Sequence, residues 1–180
     1  AVEPARAMLD VIAEDARGLP VTAVHAAAEE TGLPSGAFEL VLLADAAQWV
    51  DPERAGREVA RLLSPSGALA VVEPRLADTT FLRALEALLV EVNPKARRLP
   101  PPVALLLSVA GLGVPAEEPF DDEVRLDEER LDAVLRSLSY VGPALGPSRL
   151  AEILAAARRL AVEHGGAVWR REIRLTWARR

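Results

Sequence analysis

The chain of 180 residues contains no cysteine, which excludes disulfides and thiolate metal sites. His25 and His164 are its only histidines, and they lack the spacing of a ligand pair, so no bound structural metal is expected. Lysine, asparagine and glutamine occur once each, as Lys95, Asn93 and Gln48, while proline occurs 14 times. Scarce labile amides and many prolines point to a heat-adapted source, a thermophile, although GC-rich coding produces much of the same bias. The longest apolar run, VALLLSVAGLGV at 103–114, is about half of the roughly 20 residues that a bilayer helix needs. No signal peptide is visible, and the expected location is cytoplasmic, away from membranes.

What is present fits an ordinary globular protein: 51% of residues are hydrophobic and 27% charged. The formal net charge of −6 argues against general binding to nucleic acid or an anionic membrane. Seven arginines between Arg158 and Arg180 face only Glu163 and Glu172. A solvated strand and helix face accounts for them better than a patch for an anionic partner.

Apolar spacing predicts a helix over 5–16, with Ala5, Met8, Leu9 and Ile12 on one face and Gly18 closing it. PVTAVHA at 20–26 reads as a short strand. FELVLLA at 38–44 is a continuous apolar run between turn residues, the pattern of a strand buried on both faces. Asp51 then caps a helix with Pro52 in its first position and Ala55, Val59, Leu62 and Leu63 as its core stripe. ALAVVEP follows as a second buried strand, and Asp78 caps a helix carrying Phe81, Leu85, Leu88, Leu89 and Val92. Strands alternating with helices over short connections predict an α/β protein with a mostly parallel sheet.

Beyond RRLPPPV the pattern changes to an apolar stretch over 103–114 and then to the acidic EEPFDDEVRLDEE. Leu131, Val134, Leu135 and Leu138 mark one further helix. Leu150, Ile153, Leu154, Ala157 and Leu160 mark another, begun by Pro147. AVWRREIRLTWARR alternates, with Trp169, Ile173, Leu175 and Trp177 on one face, as a half-exposed antiparallel strand does. GLGVPA at 111–116 has the glycine spacing of a dinucleotide loop, and a strand-like VALLL precedes it. Pro115 and Pro119, however, leave no room for a phosphate-binding helix, and Glu117 and Glu118 would repel phosphate.

Several stretches together resemble a family. VEPARAML looks like the acidic end of a second strand and its helix. VHAAAEETGLP resembles the following strand with its Ala-Glu pair and Leu-Pro turn. FELVLLADAAQWVD and RLLSPSGALAVV resemble the fourth strand and the turn into the fifth, and LDAVLRSLSYV with the final WARR resembles the C-terminal part. In this order they are similar to class I S-adenosylmethionine-dependent methyltransferases of the small-molecule type, with a type 11 methyltransferase domain close to the trans-aconitate enzymes. The resemblance implies a Rossmann-like sheet, mostly parallel with an antiparallel C-terminal strand. It also divides a single domain into a nucleotide-binding α/β part at 1–95, an insert or lid at 96–126, and C-terminal helices with the final strand at 127–180. The family's first strand, its helix and its glycine-rich loop are not found in this sequence. Three explanations stand open: a fragment, a short product beginning at Ala1 after methionine removal, or a first strand supplied by another chain. A short monomer would have to repair its sheet by different pairing or by forming a homo-oligomer.

The resemblance implies the cofactor S-adenosyl-L-methionine, held by Glu3 on the ribose hydroxyls, with Met8, the Ala28 amide and Glu29 beside the adenine and the Ala44 backbone at the amino-acid end. Ala27 stands where the family often has aspartate. Asp45, Gln48, Trp49 and Tyr140 would line the pocket of a small-molecule acceptor. Five of these residues also have a plainer reading: Glu3 as a helix-dipole acid, Met8 and Tyr140 as core side chains, Asp45 as a turn former, and Trp49 as packing under the next helix. A sulfonium is already an activated methyl donor, so alignment with the acceptor supplies much of the rate. A carboxylate acceptor needs no general base. The alternative reading is a non-catalytic binding or assembly module. A dinucleotide-binding oxidoreductase would explain Glu3 but not the rest.

Overall fold

The computed structural model describes residues 1–94 and 101–180. Its elements in chain order are α1 (Arg6–Asp15), β1 (Phe38–Ala44), α2 (Pro52–Leu62), β2 (Leu63–Leu76), α3 (Thr80–Val92), α4 (Val103–Val109), β3 (Ala116–Leu126), α5 (Glu128–Ser137), α6 (Pro147–Glu163) and β4 (Ala167–Arg179). The four strands form one sheet in the order β1-β2-β4-β3. β1 and β2 are parallel, with Val41 opposite Leu69 and Ala44 opposite Val72, and α2 makes the crossover between them.

β4 runs against both of its neighbours. The Ala77 amide donates to the Arg170 carbonyl and the Arg180 amide to the Gly67 carbonyl. Arg170 and Arg174 reach Asp121 and Glu117, so residue numbers fall along β3 as they rise along β4. β1, β2 and β3 therefore share one direction and β4 alone is reversed, the Rossmann-like arrangement anticipated for a mostly parallel sheet with an antiparallel last strand.

The helices start where local chemistry allows. Asp51 accepts the Arg54 amide at the head of α2, with Pro52 next to it, and Asp127 accepts the Arg130 amide at the head of α5. α3 departs from expectation: Thr79, not Asp78, caps it by accepting the Leu82 amide at 3.2 Å, and Asp78 pairs with Arg83 instead. The threonine hydroxyl stands at the position whose backbone is extended, and geometry there outranks charge.

Three other elements differ from the sequence reading. Of the predicted strand at 20–26 only Val24 pairs, in a parallel bridge with Val2. The strand-like VALLL is helix α4, with Val103, Leu106 and Leu107 buried, since a short apolar run has no periodicity to separate helix from strand. The acidic stretch, assigned only to an insert, forms β3.

Chain contacts divide the protein into two units. The first comprises 1–73, 100–118 and 174–180; the second comprises 74–99 and 119–173. The boundary expected at 95/96 falls outside the described residues. In the first unit Leu63, Leu69 and Val71 of β2 pack with Val59 of α2 and Leu106 of α4. Gly56 makes that close helix contact, since a Cβ there would lie 2.9 Å from the Val109 side chain. In the second unit Leu82 and Leu85 of α3, Leu131 and Leu135 of α5, and Ile153 and Leu154 of α6 share a core. Two β4 arginines of this unit are answered by β3, where Arg170 and Arg171 meet Asp121 and Asp122. In the first unit Arg174 meets Glu117.

Candidate functional site

Open α/β sheets bind ligands at the carboxyl ends of their parallel strands, so the site is built from the segments that end there. β1 is one of them, but it is not buried on both faces as its composition predicts. Leu40 and Leu42 are 55% and 54% exposed, because β1 is the edge of the described sheet. At its end the chain turns sharply. Asp45 is the one non-glycine among the described residues with positive φ, at 48°, a backbone conformation of the kind stored at functional sites. Its amide donates to the Val72 carbonyl at 2.9 Å. Gln48 Nε2 closes the turn by donating to the Asp45 carbonyl at 2.8 Å and to Oδ1 at 3.0 Å. Ala44 is exposed, Ala47 is buried in the core, and Trp49 projects outward at 70% exposure instead of packing beneath the next helix.

The other parallel contact of this unit lies between the first residues and Val24. The Glu3 amide donates to the Val24 carbonyl at 3.0 Å, which sets Glu3 just past the isolated Val2–Val24 bridge. The residue is half-buried, and its Oε1 accepts the Ala5 amide at 2.7 Å ahead of α1. The carboxylate thus meets the amide of the residue that precedes α1, while the first turn of α1 itself carries no acid and no side-chain cap. His25 approaches the Pro4 carbonyl at 3.0 Å through Nε2, fastening the same two segments. Met8 is 53% exposed while Leu9 carries the buried position of α1.

Ala28 and Glu29 are half-buried, and Glu29 Oε1 accepts the Asp51 amide at 2.8 Å. That bond ties the turn to the head of α2. Tyr140 belongs to the second unit, where its ring packs against the core and its carbonyl accepts from Asn93 Nδ2 at 2.8 Å. Glu3, Ala28, Glu29, Ala44, Asp45, Gln48 and Trp49 therefore share the first unit, and Tyr140 does not.

Sequence reasoning missed the strongest polar cluster of this unit. Glu58 and Thr31 are only 8% and 7% exposed. Glu58 Oε1 accepts from the Thr31 amide at 2.9 Å and from its hydroxyl at 2.6 Å. Arg61, one turn on, donates to both carboxylate oxygens, at 2.8 and 2.7 Å, and also reaches the Leu33 carbonyl at 2.7 Å and Ser35 at 2.9 Å. The available signal was an acid at 58 inside the apolar stripe 55, 59, 62, three residues before an arginine. Hydrogen bonding from Arg61 holds the Glu58 carboxyl down at about 2 against an ordinary 4.5; burial opposes this, and the two Thr31 bonds add to it.

A carboxyl depressed on folding stabilises the folded chain above its unfolded value, and that stability disappears as pH falls toward the folded value. Glu58→Gln is therefore expected to cost about 2 kcal/mol at pH 7. The difference from wild type should shrink as pH drops from 4.5 towards 2. Urea unfolding midpoints measured across that window check this; a difference independent of pH refutes it.

Residues 1–71 match the model of the methyltransferase domain family. A stretch of 73 residues, 40% of the chain, is 47% identical to an uncharacterized methyltransferase, Rv3342, of Mycobacterium tuberculosis. The Mycobacterium bovis protein Mb3374 matches equally. The stretch spans 29% of the length of these relatives. Among solved structures, the YcgJ protein of Bacillus subtilis superposes with TM-score 0.60 at 16% identity, over 99% of this chain and 80% of that one. A proposed type II methyltransferase of Anaeromyxobacter dehalogenans gives TM-score 0.56 at 26% identity, over 99% and 77%. The likeness to the methyltransferase domain family is thus one of sequence through residues 1–71, and the likeness to these solved structures across the chain is one of fold.

Proposed function

We propose that the protein binds S-adenosylmethionine and transfers its methyl group to a small-molecule acceptor in the cytoplasm. The observation that carries this reading is the turn at the end of β1. There a parallel strand stops, Asp45 takes up a left-handed backbone, and Gln48 fixes its carboxylate. The donor set suits the cofactor's chemistry at two ends. Glu3, at the end of the segment paired with Val24, offers a carboxylate oxygen to a ribose diol. The exposed Ala44 backbone and the Asp45 carboxylate suit an ammonium group. Glu29 would meet the adenine edge with the oxygen that does not hold Asp51, while Ala28 offers its amide and Met8 its thioether.

When bound, the sulfonium supplies an activated methyl group, and the chain's task is to align and to exclude water. Trp49 presents an aromatic face suited to walling an acceptor. The second reading, a binding or assembly module, is favoured by one observation: the exposed leucines of the β1 edge, a surface suited to another strand.

Calorimetric titration with S-adenosylhomocysteine separates the two. The methyltransferase reading expects saturable binding and a loss of about tenfold or more in Glu3→Ala, where a charge-assisted hydrogen bond is removed. No binding by the wild-type chain, together with concentration-dependent self-association, would favour the module.

A further inference from the structure

Helix α2 fastens the 27–36 segment at two places. At its head the Asp51 amide meets Glu29, and in its body Glu58 meets Thr31. Seven residues of helix separate those points, about 10 Å at 1.5 Å per residue. Between them lies a tight turn in which the Glu30 amide donates to the Ala27 carbonyl at 3.2 Å. Below it, the Thr31 hydroxyl accepts the Leu33 amide at 3.2 Å, Arg61 holds Leu33 and Ser35, and the Gly36 amide donates to the Arg61 carbonyl at 2.9 Å. α2 is itself immobilised through buried Ala55, Val59 and Leu62.

An apolar side chain would anchor a loop more cheaply, since a buried carboxylate must be fully repaid by hydrogen bonds. What a carboxylate adds is direction. By accepting both Thr31 donors with one oxygen it sets the orientation of the Glu30–Thr31 peptide, and the trans geometry then turns the Glu30 carbonyl away from α2. The same helix follows directly on the Asp45–Trp49 turn. One rigid rod therefore indexes two of the segments that carry proposed cofactor contacts, Ala28–Glu29 and Ala44–Asp45.

We propose that Glu58 is a positioning residue for the nucleoside subsite, acting through Thr31 to hold the Ala28–Glu29 turn in the orientation that meets the purine. This rests on the methyltransferase reading and deepens it. Glu58 touches no ligand; it acts on the peptide that does.

The test uses the 180-residue chain with Glu58→Gln, Thr31→Val and Thr31→Ser, plus Ile153→Val as a variant weakened in the other unit. Two quantities are read: amide hydrogen exchange, and calorimetric affinity for S-adenosylhomocysteine. Expected are exchange at 28–33 that quickens by more than in the rest of the first unit and an affinity loss of about tenfold in Glu58→Gln and Thr31→Val. Thr31→Ser, which keeps both donors, should restore affinity to within about twofold, and Ile153→Val should leave it unchanged. Wild-type affinity in Glu58→Gln overturns the proposal, as does failure of Thr31→Ser to differ from Thr31→Val, or a matching loss in Ile153→Val. Failure of the wild-type chain to bind rejects the methyltransferase reading itself, a result distinct from these three.

Discussion

Alanine at position 142 is expected to cost about 3 kcal/mol, the upper end for forced overpacking. An ideal Cβ on Gly142 would overlap the Arg136 carbonyl oxygen and sit 2.7 Å from its carbon. Both are backbone atoms of α5, so no rotamer change relieves the clash. The turn is pinned as well. The Leu138 carbonyl accepts the Val141 and Gly142 amides at 2.9 and 3.0 Å, and Val141 accepts the Leu145 amide at 3.1 Å. Val141 is also 2% exposed, within the core of the second unit. Movement away from Arg136 would therefore drag a buried side chain and break turn hydrogen bonds. Urea unfolding followed by circular dichroism should show the loss, and a change below about 0.5 kcal/mol, the scale of ordinary surface substitutions, would disprove the packing described.

Leu69→Ala should destabilise the first unit by about 3 kcal/mol, within the range for emptied leucine sites. Leu69 is 0% exposed in mid-β2, with its side chain in the cluster shared by α2 and α4. Leu40→Ala is the informative partner. Both leucines lie in apolar strand sequences, yet Leu40 is 55% exposed on the edge strand, so its loss should cost under about 1 kcal/mol. Unfolding free energies of the two variants from the same urea titration decide the matter; equal costs would show that the edge face of β1 is covered in solution.

That contrast indicates how much of the molecule could be read from its residues. The alternation of FELVLLA, PERAGREVARL and ALAVVEP carried the parallel β1–α2–β2 unit, since Pro52 and the Asp51 cap are local signals acting over a single turn. Pro147 and the stripe Ile153, Leu154, Ala157 carried α6 in the same way. Where short-range signals were ambiguous, the reading failed. VALLL read as a strand because a seven-residue element has too little length to show its period, yet it is helical, and the 20–26 segment paired at Val24 alone.

The site divides along the same line. The turn at Asp45 was legible because turn formers leave a mark within a few residues of chain, whereas its closure by Gln48 is a side-chain contact that only the structure shows. Glu58 was hidden, since its partner Thr31 lies 27 positions away in the chain, as Leu33 lies 28 from its own partner Arg61, and nothing in the intervening residues encodes those meetings. The residues alone determined which segments are strands and helices wherever caps and period agreed. Tertiary structure alone decided that β1 is an edge, that Tyr140 packs in the second unit, and that a buried carboxylate clamps the 31–36 loop. Burial and long-range hydrogen bonds are properties of pairs distant in the chain, and their free energy exists only once the chain has brought those pairs together.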